Sequence, residues 1–180
     1  MAEVDDRRQR TRSGAAGDSG APRQVIVLIG FMAAGKSGAA RALAHGTVTC
    51  PAAWPHSRCL AHISQTLRDV LRKFQPTVCA VEGLFFAQNL KTAIVMGEAR
   101  GAALAAVAEA GLEIYEMAPR KVKQAIVGYG AAQKLAVAKM VQRLLQLAEP
   151  PPPDAADALA LALAHAQEQG RHSLTPPKRI

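Results

Sequence analysis

The sequence predicts an α/β domain. Apolar runs of strand length recur at 25–29, 77–82 and 112–117. The segments between them place apolar residues at helical spacing, with Pro or Gly near their ends. Strands alternating with helices are the pattern of a sheet covered by helices. At 180 residues, 49% of them hydrophobic, the chain has room for one sizeable core. Aromatic residues make up only 4%, so that core is built mainly of Ala, Leu and Val.

The elements follow in order. Residues 1–23 are charged, rich in Gly, Ser and Ala, and without periodicity, which predicts a disordered tail. Residues 24–170 form the single folded domain, and 171–180 a second tail. Within the domain, Val25-Ile-Val-Leu-Ile29 predicts a buried strand, followed by a Gly-bounded loop and a helix through Leu43. Residues 46–49 predict a short strand, and Cys50–Arg58, with two prolines and Trp54, a loop. Ile63, Leu67, Val70, Leu71 and Phe74 predict an amphipathic helix. A strand over 77–82 comes next, then a helix over 91–110 despite Gly97 and Gly101, then a strand over 112–117. Helices over 119–127 and 131–147 follow. The prolines from Pro150 to Pro153 stop the second, and a last helix starts at Asp154. No internal repeat is visible.

The formal net charge of +8 points to a polyanionic partner, most often nucleic acid. Part of the excess sits in the tails, at Arg7, Arg8, Arg10 and Arg12 and at Arg171, Lys178 and Arg179. The domain itself keeps Arg120, Lys121, Lys123 and Lys134 in a short stretch. Three cysteines, an odd and sparse count, and a charged N-terminus without an apolar h-region lead to the expectation of a cytoplasmic protein. No run is long and apolar enough to cross a bilayer.

Three carboxylates carry the chemical signal. Glu82 ends the otherwise apolar run Thr77-Val-Cys-Ala-Val-Glu82, where a charge is costly unless solvated or bound to a cation. Asp154 and Asp157 open the strongly apolar last helix, three residues apart and so on one face. Together they would make an all-oxygen site suited to magnesium, the ion that activates water for phosphodiester cleavage. Taken alone, Asp154 reads equally as an N-cap, and Asp157 as a first-turn acid favoured by the helix dipole.

The surrounding blocks narrow the choice. They are Phe74-Gln-Pro76, Val81-Glu-Gly-Leu-Phe-Phe86, Gly97-Glu-Ala-Arg-Gly101, Pro119-Arg-Lys-Val-Lys-Gln124, Val127-Gly-Tyr-Gly130 and Pro153-Asp-Ala-Ala-Asp-Ala-Leu159. In identity and spacing, the chain from about His45 to His165 resembles the RuvC-type Holliday-junction resolvases. The resemblance implies an RNase H-like mixed sheet flanked by helices, a homodimer, and magnesium-dependent cutting of a four-way DNA junction. It also implies partnership with the branch-migration proteins RuvA and RuvB. Glu82, Asp154 and Asp157 fall on family metal-binding acids and Phe85 on an aromatic used against junction bases. Lys123 and Lys134 fall on basic residues that contact DNA near the cut, with Arg120 beside them. A lysine there stabilises charge developing on the phosphate. For Phe85 the alternative is core packing, and for the lysines an exposed helix face.

The chain departs from the family at its first strand. The family carries a fourth acid there, in a Gly-Ile-Asp-Pro-Gly-like segment. Here no Asp or Glu occurs between Ser19 and Arg68. The expectation is a crossover junction endodeoxyribonuclease with an atypical first-strand region and impaired cutting. The alternative is a junction-binding protein of the same fold that does not cut.

In place of that segment stands Gly30-Phe-Met-Ala-Ala-Gly35-Lys36-Ser37, a P-loop pattern after a strand and before the predicted helix. In that context the loop amides would wrap phosphates, Lys36 would reach the terminal ones and Ser37 would bind magnesium. The stretch from Arg23 to Ala44 resembles the opening of shikimate kinases. No downstream metal-binding Asp and no arginine-rich lid follow. The sequence therefore predicts a hybrid, kinase-like at 24–44 and resolvase-like beyond, with a P-loop phosphotransferase as a third functional reading. Cys50, His56, Cys59 and His62 also cluster, in a spacing that matches no familiar zinc finger. His165, late on the apolar helix, reads as a structural residue. Arg100, between Gly97 and Gly101, reads as a site of close helix packing or dimer contact.

Overall fold

A computed structural model describes residues 23–33, 40–83, 89–169 and 177–180. The elements are β1 (Arg23–Ala33), β2 (Ala40–Cys50), α1 (His56–Phe74), β3 (Val78–Glu82), α2 (Leu90–Glu109), β4 (Glu113–Met117), α3 (Pro119–Val127), α4 (Lys134–Leu145), α5 (Pro153–Gln169) and β5 (Lys178–Arg179). They form two sheets. β1 and β2 are an antiparallel pair, with register from Arg23↔Cys50 to Ala33↔Ala40. The other sheet has the order β3-β4-β5 and is mixed: β3 and β4 run parallel, while β5 joins β4 antiparallel.

Two expectations fail here. The helix predicted through Leu43 is instead β2, which begins at Ala40 and takes in the short strand expected at 46–49. Ala39–Ala44 is rich in good helix formers, but pairing along the whole of β1 satisfies the backbone, and tertiary pairing overrides local propensity. Residues 177–180, assigned to a tail, instead include β5. Ile180 N–H donates to the Ile114 carbonyl at 3.1 Å, and Arg179 pairs with Glu113 at 2.7 Å. β5 thus covers the outer edge of β4.

The other elements form where pattern and punctuation agree. α1 buries Cys59, Ile63 and Leu67, each four residues on, and the last two pack with Ala106 of α2 and Val48 of β2. It ends at Gln75, in the left-handed region at φ 45°, with Pro76 beyond. α2 is capped by Asn89, whose side-chain oxygen accepts from Thr92 N–H at 2.8 Å. α3 starts on Pro119 and ends on Gly128 at φ 94°, the Pro-first, Gly-last arrangement.

α5 is the centre of the larger core. Ala155, Ala156 and every residue from Ala158 to His165 are buried. A helix apolar on all sides has to be covered on all sides, and α5 is, by α3, α4, β3 and the hairpin. Leu159 packs with Met117, Val122, Val137 and Val141 and is 1% exposed. Leu159→Ala is expected to cost about 3 kcal/mol of stability, read as a lowered urea midpoint with an unchanged slope. Among the described residues no helix is long and apolar enough to cross a membrane.

Candidate active site

The site lies where β3 ends. An acid is tolerable at Glu82 because the strand stops there and its side chain reaches the surface. Gly83, the next residue, donates its N–H to the Met117 carbonyl of β4 at 2.9 Å. α5 runs beneath, so its first turns bring Asp154 and Asp157 to the same end of the sheet. Lys134 opens α4, and Lys123 lies on α3.

The charges are coupled. Lys134 Nζ donates to Asp157 Oδ2 at 2.9 Å. Burial pushes the Glu82 carboxyl above its ordinary range, and the Asp157 charge pushes it further, while Lys134 and Lys123 pull it back. Lys134 is held above the ordinary lysine range, first by its hydrogen bond to Asp157 and then by the Asp157 charge. Burial opposes that, and Asp154 and Glu82 add to it. Glu82, Asp157, Lys123 and Lys134 all line one cavity of about 1040 Å3, bordered by β3, α2 and α5.

Asp154 stands apart from this group. It does not line the cavity, and its link to the site is its charge on Lys134. It lies inside the first turn of α5, after Pro153, and not at the capping position. Among the described residues no three His, Cys, Asp or Glu side chains stand close enough to hold one ion. The arrangement is therefore two carboxylates on one cavity, Glu82 and Asp157, with Lys134 bonded to Asp157 and its charge acting on both. β1 and β2 contain no Asp or Glu.

Other expected residues fall as follows. Arg120 lies against Gly130, where an added Cβ would sit 2.4 Å from Arg120 Cγ and would force the exposed arginine side chain to move. Phe85 lies outside the described residues, as do Gly35, Lys36 and Ser37. Gly30 is a residue of β1. A P-loop grips phosphate at the N-terminus of the helix that follows it, and the next described element here, β2, is a strand. The Cys/His cluster holds no zinc set among the described residues. His56 pairs with Glu98 at 2.6 Å, His62 packs edge-on against Trp54, and buried Cys50 points at the Cys59 carbonyl. Burial pushes the Cys79 thiol up to about 11, which keeps it protonated and unreactive.

His165 is buried and stacks on Tyr115 at 4.9 Å. Burial lowers its pKa from the ordinary 6.5, against the pull of Glu168. Above 6.5 both folded and unfolded chains carry it neutral. Below 6.5 the unfolded chain binds the proton first, so stability falls as pH drops from 6.5 toward the folded value. Urea midpoints at about pH 7.5 and about pH 5.5 are expected to differ less in His165→Phe than in the parent protein.

One partnership escaped the sequence. Arg100 of α2 donates from Nη1 to the Glu82 carbonyl at 2.9 Å and from Nη2 to the Glu116 carboxylate. The available signal was Glu116 itself, a second acid on a short apolar strand.

A mixed sheet with one acid at the end of β3, a second on α5, two lysines lining the same cavity and helices packed behind has the groups of a nuclease-type α/β domain. Comparison with known proteins gives the family. The model of "Crossover junction endodeoxyribonuclease RuvC" matches residues 27–165. A protein of that name from Akkermansia muciniphila is 49% identical over 126 residues, 70% of this chain and 75% of the relative. Another from Moorella thermoacetica is 45% identical over 146 residues, 81% of this chain and 87% of the relative. Thermus thermophilus RuvC in complex with Holliday junction substrate is 35% identical, with a TM-score of 0.72 over 88% of this chain and 92% of that one. A further T. thermophilus RuvC structure gives 36% and 0.68, over 78% and 83%. This chain belongs to the RuvC family of crossover junction endodeoxyribonucleases. The match begins at residue 27 and so takes in most of the segment expected to be kinase-like. The hybrid reading has no support.

Proposed function

We propose that this chain resolves four-way DNA junctions by magnesium-dependent phosphodiester cleavage, with Glu82 and Asp157 as the main metal ligands and Asp154 beside them. The observation that carries the reading is the convergence of Glu82, Asp157, Lys134 and Lys123 on one cavity. The donor set suits the ion. Magnesium keeps several waters and takes one or two carboxylates plus substrate phosphate, and the mutual repulsion of Glu82 and Asp157 is relieved by a cation between them. When bound, magnesium supplies an activated water and neutralises charge on the phosphate oxygens.

The remaining work belongs to the protein. Lys134 is 68% exposed at its side chain, so its ammonium is free to swing from Asp157 to a phosphate. Lys123 adds positive charge on the same cavity wall, and Arg120, on the same helix as Lys123, extends the basic surface to the DNA backbone. Phe85, three residues after Glu82, is assigned to stack on an unpaired junction base. The active unit is a homodimer, since a four-way junction is cut at two symmetric strands. The exposed stripe Leu90, Ile94, Gly97, Gly101, Ala105, Ala108 on α2 supports this. RuvA and RuvB are the proposed partners, and the cytoplasm, where bacterial DNA lies, the compartment.

A second reading, a binder that does not cut, is favoured by one observation: β1 and β2 carry no acid to join Glu82. The deciding experiment is cleavage of a synthetic four-way junction with magnesium, beside binding of the same junction in chelator, with Asp157→Asn as control. Cutting that the control abolishes supports the enzyme. Tight, structure-selective binding without cutting supports the binder.

A further inference from the structure

The carbonyl of Glu82 and the N–H of Gly83 belong to one peptide unit, and both are held. The N–H donates to the Met117 carbonyl on β4 at 2.9 Å. The carbonyl accepts from Arg100 Nη1 of α2, also at 2.9 Å. Arg100 is itself held by the Glu116 carboxylate, and the two side chains are only 17% and 26% exposed. A peptide plane fixed from both sides fixes the backbone at Glu82 and with it the direction in which the side chain leaves the strand. This matters because β3 is the edge strand of its sheet, with β4 as its only ladder partner among the described residues. At the last residue of β3 the guanidinium takes the place that a second neighbouring strand would fill. Arginine suits this position because its planar fork binds a carbonyl and a carboxylate at once, and it stays charged at any working pH.

We propose that Arg100 is a positioning residue for the active site: it orients Glu82 toward the metal by clamping the Glu82 carbonyl to Glu116. The inference rests on the reading of Glu82 as a metal ligand. Arg100 touches neither substrate nor the reacting atoms in this role. Its effect reaches the reaction through the geometry of Glu82, as hydrogen bonds behind a metal ligand do in other metal sites.

The test measures binding of Mn2+ to the free protein by electron paramagnetic resonance, with the magnesium concentration for half-maximal cleavage, junction binding in chelator and melting temperature alongside. Arg100→Ala is expected to weaken Mn2+ binding about tenfold and to raise the half-saturating magnesium similarly, with junction binding in chelator unchanged. Arg100→Lys, which still donates to the carbonyl, is expected to recover most of the loss. Glu116→Ala, which frees the guanidinium, is expected to move Mn2+ binding in the same direction by less. Unchanged Mn2+ affinity in folded Arg100→Ala overturns the proposal. So does a loss of Mn2+ affinity that comes with equal loss of junction binding and a collapse in melting temperature, the signature of a merely structural ion pair. Should Arg100→Ala not fold, unchanged affinity in Glu116→Ala overturns it equally. Glu82→Gln, run in parallel, separates the two claims. If it keeps full Mn2+ affinity, the ligand reading fails and this inference falls with it. If it loses the metal while Arg100→Ala does not, the inference about Arg100 fails alone.

Discussion

Glu82→Gln is expected to lower magnesium-dependent cleavage of a four-way junction by about a hundredfold or more. Metal-borne charge stabilisation is worth several kcal/mol, and each 1.4 kcal/mol is about a tenfold change in rate. The substitution keeps the shape of the side chain and removes the charge that would hold the cation. It also removes an unfavourable charge from the folded chain. The Glu82 carboxyl is pushed up by burial and by Asp157, so above its folded pKa the ionised form is less favourable in the folded state than in the unfolded one. The variant is therefore expected to be at least as stable as the parent at neutral pH. Loss of cutting with no loss of melting temperature, and with junction binding in chelator retained, is the diagnostic combination. A variant that cuts at the parent rate would remove Glu82 from the site.

That combination is partly legible in the chain. An acid closing an apolar strand and two acids opening an apolar helix are costly placements, and Glu82 and Asp157 do meet at one cavity. The expected bounds of α3 are those observed, and those of β3, α2 and β4 differ by a residue, because Pro119, Gly128, Gly111 and a clear change of period mark their ends. The first hairpin is not legible. Gly30 to Ser37 fits a nucleotide-binding pattern, and the alanines after it favour a helix, yet β2 takes its conformation from pairing with β1. A two-residue strand such as β5 has no period to detect at all. Side-chain partnerships are the least visible. The bond from Lys134 to Asp157 spans two helices, and the clamp by Arg100 joins a helix to two strands. Neither leaves a spacing in the sequence. What the sequence does show around Arg100 is its flanking glycines, which belong to an exposed face of α2.

That face yields the second large effect. Leu90, Ile94, Gly97, Gly101, Ala105 and Ala108 recur at intervals of four, three, four, four and three residues, and all are exposed. They draw one apolar stripe along the helix. Leu90 and Ile94 are 77% and 51% exposed, an unusual placement for large apolar side chains unless a partner covers them. A Cβ added at Gly97 or Gly101 would meet nothing within 4 Å, so the helix backbone is bare there and open to close approach. In a two-fold dimer the stripe would meet its own copy, and each substitution would count twice. Ile94→Glu is then expected to weaken self-association by about a thousandfold, from roughly 2 kcal/mol of unpaired buried charge per copy. The monomer should lose no stability, since Ile94 makes little of the core. Sedimentation equilibrium reads the first effect and melting temperature the second. Paired cutting of the junction should disappear with the dimer, because one copy offers one Glu82 and one Asp157 to a substrate with two strands to cut. A variant that stays dimeric would move the interface off α2 and leave the exposed stripe without a role.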